Sequence, residues 1–489
     1  MELFLLLGFP LLMAMVVFLL RQDWLRKIIL LLASSFHLLA TIGFWQGPHD
    51  VQFNPFLGFD ALSQLVLNLI SILFFVIAIY LVGYLKEKRR RSNGIFVGCL
   101  LCLLAAMTLV TMSRHMGLLW IALAATTLLS APLIGYYRTP RSIEATWKYL
   151  LISSLGIALG LLGTLFLAIS ATPLKTIFLA DILDNATLLS PSWLKLSVIF
   201  LLVGYGTKMG LAPMHTWKPD AYGEAPAPVG ALMSGALTGC AFLAVFRVAQ
   251  ICFHARLQEF VSPIFILLGM LSLGIAAVFI MGQKDFHRML GYSSVEHMGI
   301  LALGIGLGGG AVWASLFHAV NNAFAKGLIF LVAGNLFQSF RSKRVENIQG
   351  VIHRLPVTGI SLILGLIVIA GFPPFGIFYS ELLILKEAIL TQRYIIVFFY
   401  FLFLSVIFFG YSKVILGMSL GLPVPRSGTY SAGQAGRPPD SANKEIKKEN
   451  FFMVTPLVIL VLVLFFTGIF VPDSLYALID EASALLKGQ

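Results

Sequence analysis

Apolar runs of about twenty residues, nearly free of charge, follow one another along the whole chain, and few folds can accept that pattern. They fall at about 3–20, 28–45, 62–85, 94–112, 117–137, 147–170, 196–213, 228–250, 262–281, 292–310, 311–338, 356–390, 394–420 and 452–471. In hydrocarbon every backbone donor and acceptor must be satisfied internally, which favours helices for such runs. The predicted fold class is therefore an all-α polytopic membrane protein with about 14 transmembrane helices. Composition agrees: charged residues are 11% of 489 and the mean hydropathy is +0.91, whereas soluble domains carry about 25% charged residues. A soluble enzyme on a membrane anchor is excluded, and the polar segments between runs are too short for a separate catalytic domain. The N-terminus enters apolar sequence without the basic region and small-residue cleavage site of a signal peptide, so it reads as the first span.

Two runs carry a break. Pro213 interrupts the seventh, and Gly371-Phe372-Pro373-Pro374-Phe375-Gly376 divides the long run at 356–390. Proline removes a backbone donor, and the freed polar groups are tolerated only inside protein or beside a watery cavity. Two broken helices about five spans apart, each near an ionisable residue, are what two inverted five-helix repeats predict. The expected organisation is 1–93, the first three spans; 94–255 and 256–420, the two repeats; 421–451, a flexible polar cytoplasmic loop; and 452–489, a final span and a short tail beginning at Pro472.

The basic residues sort by side, as the excess of Lys and Arg in cytoplasmic loops requires. Arg21, Arg26, Lys27, Lys86, Lys88, Arg89 to Arg91, Arg138, Arg141, Lys148, Lys218, Lys284, Arg288, Arg341, Lys343, Arg344, Arg354 and the cations of the 421–451 loop alternate with loops holding only Arg114, Lys175, Lys195, Arg256, Arg393 and Lys487. Roughly 23 of the 34 cations thus share one face, and both termini are expected on the non-cytoplasmic side. The net charge of +12 orients the protein in its bilayer, and no nucleic-acid partner is expected. Cys99 and Cys102 are spaced C-x-x-C but lie in an apolar run without a second pair, so they read as packing residues. Gly304, Gly306 and Gly308 to Gly310 read as close helix contacts, not a nucleotide loop.

A few ionisable residues remain inside the runs, where each costs roughly 2.5 to 3.5 kcal/mol on insertion scales. Arg247 and Lys413 lie near span ends and can snorkel. Lys208 precedes Pro213 and its break. His318, Asn322 and Lys326 repeat at i, i+4 and i+8 and share one helix face, a pattern suited to a hydrogen-bonded proton relay. His297 is a relay partner, one turn from Ser293, while the neighbouring Glu296 reads as a cap or an interfacial pair. Glu381 and Lys386 follow the second break, with Glu381 the candidate terminal proton site.

Gly206 to Ala221, containing Lys208, Pro213, His215, Trp217 and Pro219, followed by Glu224 to Val229 and Ser234-Gly235, resembles the most specific block of the antiporter-like proton-channel subunits of respiratory complex I, Mrp-type antiporters and membrane-bound hydrogenases. Asp285 to Ser294, His318 to Gly327 and Gly371 to Glu381 resemble its later blocks. Arg141 to Leu150 and Ser293 to His297 are most similar to hydrogenase-4 subunits of the F type, and the short tail lacks the long lateral helix of the largest complex I member. The resemblance implies that Lys208 is the central-span lysine, that the face from His318 to Lys326 is the connecting relay, and that Glu381 lies on the exit side. It also implies a bacterial-type inner membrane, no cofactor in this chain, and as partners other membrane subunits and a soluble redox or other energy-coupling module.

One departure stands out. The family glutamate that pairs with the central lysine aligns with Ala124, in a span without any acid, and Glu144 from the next span is the candidate substitute. The family's eighth-span lysine is also absent, with Gly239 near its position. The leading expectation is a proton-translocating subunit of a redox-driven complex. The rivals are a Mrp-like cation/proton antiporter or inorganic-carbon uptake subunit, and a membrane scaffold whose channel has lapsed.

Overall fold

The helices start and stop at residues that supply what the backbone lacks. A computed structural model describes residues 4–45, 50–85, 93–421 and 449–486. A π turn at Phe4–Gly8 runs into α1 (Phe9–Leu19), followed by α2 (Asp23–Trp45) and a hairpin of β1 (Val51–Asn54) and β2 (Leu57–Phe59). Next come α3 (Ala61–Tyr84), α4 (Gly94–Met112), α5 (Met116–Ile134) and α6 (Pro140–Ser170). The Asp60 carboxylate caps α3 by accepting from Ser63 N, and Thr139 and Ser142 cap α6 reciprocally. The short α7 (Leu179–Asp184) leads to α8 (Pro191–Met209) and α9 (Trp217–Glu224). Then α10 (Ala227–Leu232) continues through a π turn, Met233–Leu237, into α11 (Thr238–His254). The second half holds α12 (Gln258–Met281), α13 (Phe286–Leu307), α14 (Gly310–Phe340), α15 (Val351–Arg354), α16 (Pro356–Ile369), α17 (Gly376–Leu390) and α18 (Tyr394–Leu420), before α19 (Phe451–Ile469) and α20 (Asp473–Ala484).

Among the described residues, ten helical segments are long and apolar enough to cross a membrane, and Leu5–Leu19 and Pro356–Ile369 are shorter apolar helices. The most apolar stretch of Ala227–His254 and of Gly310–Phe340 is 94% buried, against 22% for Tyr394–Leu420. The first two therefore form the centre of the bundle and α18 its rim. Glycine lets neighbouring helices approach closely: a Cβ on Gly204 of α8 would stand 2.6 Å from the Gly156 carbonyl of α6, and one on Gly269 of α12 would stand 2.8 Å from the Gly299 carbonyl of α13. Gly304 and Gly306 also make such contacts, but Gly308 to Gly310 do not: a Cβ on Gly308 meets nothing within 4 Å, and those on Gly309 and Gly310 meet the Glu387 side chain.

Both expected breaks are present and are built alike. After α8, Gly210 takes a left-handed conformation (φ 77°) and Leu211 N donates to Gly206 O at 2.9 Å. After α16, Gly371 does the same (φ 65°) and Phe372 N donates to Ile367 O at 3.1 Å. Each satisfies an orphan carbonyl five residues back, the glycine-dependent helix stop of a Schellman motif, and proline follows within three residues. One expectation needs correction: the chain is not wholly α-helical, because Val51–Phe59 folds as a small antiparallel hairpin. The short tail after Pro472 forms α20, which buries Leu475, Leu478, Ile479 and Ala482 against α3 and α14, an i, i+3, i+4, i+7 face. The expected loop lies, at 422–448, outside the described residues, as do Lys86, Lys88, Arg89 to Arg91 and Lys487.

Candidate functional site

Polar side chains thread the apolar centre in two clusters. In the first, Lys208, in the last turn of α8, is 5% exposed. Its Nζ donates to Thr127 Oγ1 of α5 at 2.7 Å and to Tyr149 OH of α6 at 3.2 Å, and Tyr149 OH meets Ser130 Oγ at 2.6 Å. Side chains satisfy two backbone groups of the break beside it: Trp217 Nε1 donates to Thr207 O at 2.9 Å, and Ala212 N donates to Ser272 Oγ at 2.9 Å. The spacing from Lys208 to Trp217 lets the indole fold back to cover a carbonyl of its own broken helix.

Among the described residues Lys208 forms no ion pair. The α5 side chain that touches it is Thr127, whereas Ala124 lies one turn earlier and contributes no polar group. The α5 partner of Lys208 is thus a neutral hydroxyl, and Ala124, aligned with the family glutamate, adds no charge beside it. Glu144 does not replace it. Its exposed carboxylate pairs with Lys148 at 2.8 Å, and Lys148 and Arg288 both reach Asp220, at 3.1 and 2.8 Å. These groups line a charged surface hollow with Arg141 and Glu224; Glu144 is four residues before Lys148, and so on the outer face of α6.

The second cluster lies around α13 and α14. Lys326 is wholly buried, and its Nζ donates to Ser293 Oγ. His297 Nδ1 and His318 Nε2 are 3.0 Å apart, and His318 Nδ1 meets Ser380 Oγ of α17 at 2.9 Å. Ser380 donates its single proton to Ile377 O at 2.7 Å, so it accepts from His318 Nδ1–H. A neutral His318 then presents the bare Nε2, to which His297 Nδ1–H donates, and His297 Nε2 is left buried without a partner. Every member thus has an assigned direction, as a proton relay requires. The Glu381 carboxylate lies against Gly371, the left-handed residue of the second break, and is 8% exposed.

The sequence reading placed some residues differently. Asn322 is buried on the expected face, but its Oδ1 has no partner, and it is Asn321 that bonds to Thr467 of α19 at 2.9 Å. His215 sits in the first break with its ring 6.3 Å from that of Tyr292, and it makes no hydrogen bond to Lys208. Lys386 points outward and does not join the relay; five residues separate it from Glu381, which turns it to another side of α17. Arg247 does not snorkel. It is 3% exposed and grips Asp60 with two nitrogens, at 2.6 and 2.7 Å, with Ser63 and Gln250 completing the site.

Two functional candidates were missed. Lys218, read as a loop cation, is completely buried and donates to Ser294 Oγ at 3.0 Å, its stem lying against Gly210. Ser293 and Ser294 therefore hold Lys326 and Lys218 on neighbouring positions of one helix. Its place between Trp217 and Pro219, immediately after a break, was the available signal. Glu296, read as an interfacial cap, is 1% exposed, accepts from Tyr411 OH of α18, and lies within Coulombic reach of Lys326 without a direct ion pair.

A family model for the NADH:quinone oxidoreductase/Mrp antiporter membrane region matches residues 113–408, more than half the chain. The chain is 37% identical over 293 residues to a hydrogenase-4 component F homolog of Methylacidiphilum infernorum, covering 58% of this chain and 61% of that one. It is 29% identical to NADH-quinone oxidoreductase subunit N of Desulforudis audaxviator, over 69% of this chain and 66% of the relative. Among solved structures it resembles a chain of respiratory complex I from Thermus thermophilus, with 24% identity, 98% and 99% coverage and a TM-score of 0.79. It also resembles a chain of the Mrp complex from Dietzia, with 18% identity, 99% and 97% coverage and a TM-score of 0.86. These two likenesses concern the fold, and both are to members of multisubunit membrane complexes. The chain belongs to the NADH:quinone oxidoreductase/Mrp antiporter family of membrane subunits.

Proposed function

We propose that this chain is the proton-translocating membrane subunit of a redox-driven complex of the hydrogenase-4 or NADH-quinone oxidoreductase type. The observation that carries the reading is the directed chain His297–His318–Ser380 beside buried Lys326 and Glu381. Burying Lys326, Glu381 and a histidine pair in an apolar bundle costs far more than packing needs, so a transport role supplies the reason for them. Protons would enter by Lys208, pass by Lys218 and Lys326 across the serine pair of α13, and leave by the histidines and Glu381. Direct hydrogen bonds do not join Lys208 to Lys218 or Lys326 to His297, and these steps call for water. The redox chemistry and any cofactor would belong to partner subunits, including a soluble module.

Two inverted five-helix repeats within a set of about fourteen spans are part of this proposal. The like construction of the breaks after α8 and α16 supports it. The sidedness of the cations supports an orientation with both termini away from the cytoplasm. A second reading, a module with a weakened first half, is favoured by Thr127 standing where an acid would pair with Lys208.

The test is proton uptake by proteoliposomes holding the intact complex, followed with a pH-sensitive dye. Lys326→Ala, His318→Ala and Glu381→Gln should each lower the rate at least ~10-fold, the scale of a lost general acid or base. Unchanged uptake in all three would sink the relay. Loss in these three with full activity in Lys208→Ala would favour the weakened first half.

A further inference from the structure

His297, His318 and Glu381 each offer one ligand atom, the three atoms lie within 4.8 Å of one another, and all three side chains are buried. In a tetrahedral zinc site, ligand atoms stand about 3.3 Å apart, given Zn–N near 2.0 to 2.1 Å. The histidine edge, at 3.0 Å, is already close to that spacing. We propose that these three side chains form a binding site for a transition-metal dication of the zinc type, and that an occupied site closes the path. The closure rests on the proton-path reading above; the binding does not.

The donor set selects the metal. Two imidazoles and one carboxylate suit Zn²⁺, Co²⁺, Ni²⁺ or Cu²⁺, while Mg²⁺ and Ca²⁺ require more oxygen ligands than the cluster holds. The outer shell is also in place. A ligating histidine is normally oriented by a hydrogen bond from its other ring nitrogen, and Ser380 Oγ accepts from His318 Nδ1 at 2.9 Å, turning Nε2 inward. On the other ring, the proton on His297 Nδ1 can move to Nε2, which is buried without a partner, freeing Nδ1 as a ligand with no net loss of charge. Glu381 adjoins the second break, where Phe372, Pro373 and Pro374 are exposed. Lys326 opposes a dication here, and the carboxylates of Glu381 and Glu296 offset it. A bound metal would occupy the space between the two imidazoles through which the relay proton passes, so metal and proton exclude one another.

The test uses cobalt(II) alone, titrated into the purified complex in detergent. The expected result is one equivalent per chain with the intense visible bands of tetrahedral cobalt, displaced by zinc. His297→Gln and His318→Gln should abolish the bands, and His353→Gln, at an exposed position, should keep them. Ser380→Ala removes only the orienting hydroxyl; it should keep the fold and weaken cobalt binding ~10-fold or more, so the proposal stays testable if a ligand variant unfolds. Absence of bands in the wild type, or their survival in the double histidine variant, would overturn the site. Zinc should also stop proton uptake by the wild-type complex. Binding with undiminished uptake would overturn the closure alone, and binding in a metal-free complex that moves no protons would overturn the transport reading alone.

Discussion

At Lys208 the decisive feature is a neighbour that carries no charge. Thr127 gives the amine a hydrogen bond of 2.7 Å but no counter-ion, whereas an acid at that position would hold the lysine charged. Two unit charges ~4 Å apart attract by about 4 kcal/mol at an effective dielectric of 20. Thr127→Glu should therefore raise the initial rate of proton uptake a few-fold, while Ala124→Glu, one turn away, should leave it unchanged; equal responses would show that the contact does not set the rate. Glu296 is the complementary case, a buried acid in the second half. Glu296→Gln removes the charge that acts on Lys326 and should lower uptake ~10-fold or more, whereas Tyr411→Phe spares the carboxylate and should cost only a few-fold. Similar losses in both variants would mean that the Tyr411 bond, not the charge, matters. The identities of Lys208, His297, His318, Lys326 and Glu381 were legible in the sequence, because an ionisable residue in an apolar run is conspicuous. Their neighbours were not. Thr127, Tyr149 and Ser380 look like ordinary helix residues, and Glu296 and Lys218 sit near run ends, where the sequence cannot separate a buried charge from a solvated one.

Whole helices were easier to read than their ends, since one apolar run of about twenty residues fixes a span while local hydrogen bonds fix its terminus. The breaks at Pro213 and Pro373 were visible because glycine and proline announce them. The hairpin at 51–59 and the amphipathic α20 escaped notice because each is short and polar on one side. The contacts between helices make sharper demands. Gly204 of α8 faces the backbone of α6, and any side chain there must separate the two helices. Gly204→Leu should destabilise the protein by ~1 to 3 kcal/mol, the usual cost of overpacking, lowering the thermal midpoint in detergent. Gly282→Ala, where an added Cβ meets nothing within 4 Å, serves as the neutral control. The ion pair that ties the start of α3 to α11 responds to pH. Burial alone would push the Asp60 carboxyl up, but the Arg247 charge and hydrogen bonds from Arg247 and Ser63 hold it below the usual carboxylate range. Its folded form is thus favoured when ionised, and the stability it adds is present at neutral pH and lost as pH falls below about 4, toward its lowered value. Asp60→Asn should flatten that acid limb of the stability profile and, by leaving Arg247 buried and unpaired, cost ~3 to 5 kcal/mol at pH 7. An unchanged acid limb in Asp60→Asn would assign it to other carboxylates.

On the scale of the molecule the question is whether two clusters beside separate helix breaks act as one path. Lys208 belongs with α5, α6 and α8, and Lys326 with α13 and α14; Lys218 stands between them, rooted just past the first break and bonded to α13. No acid pairs with it among the described residues, so its hydrogen bond to Ser294 is left to offset the cost of burial without a counter-ion. Replacing a buried charge with an apolar side chain of similar size is often neutral or stabilising. Lys218→Leu should accordingly leave the thermal midpoint of the complex unchanged or higher, yet reduce proton uptake as severely as Lys326→Ala does. These opposite directions separate the two explanations for the residue. If Lys218 serves only to fasten α9 to α13, the leucine variant should lose stability and transport together, and Lys218→Arg should restore both. If Lys218 passes protons, Lys218→Arg should keep the contact with Ser294 and still fail to transport, because a guanidinium does not release its proton in a protein. Thermal unfolding and dye-monitored uptake on the same two variants therefore decide whether the halves of this molecule are joined by a fastening or by a carrier.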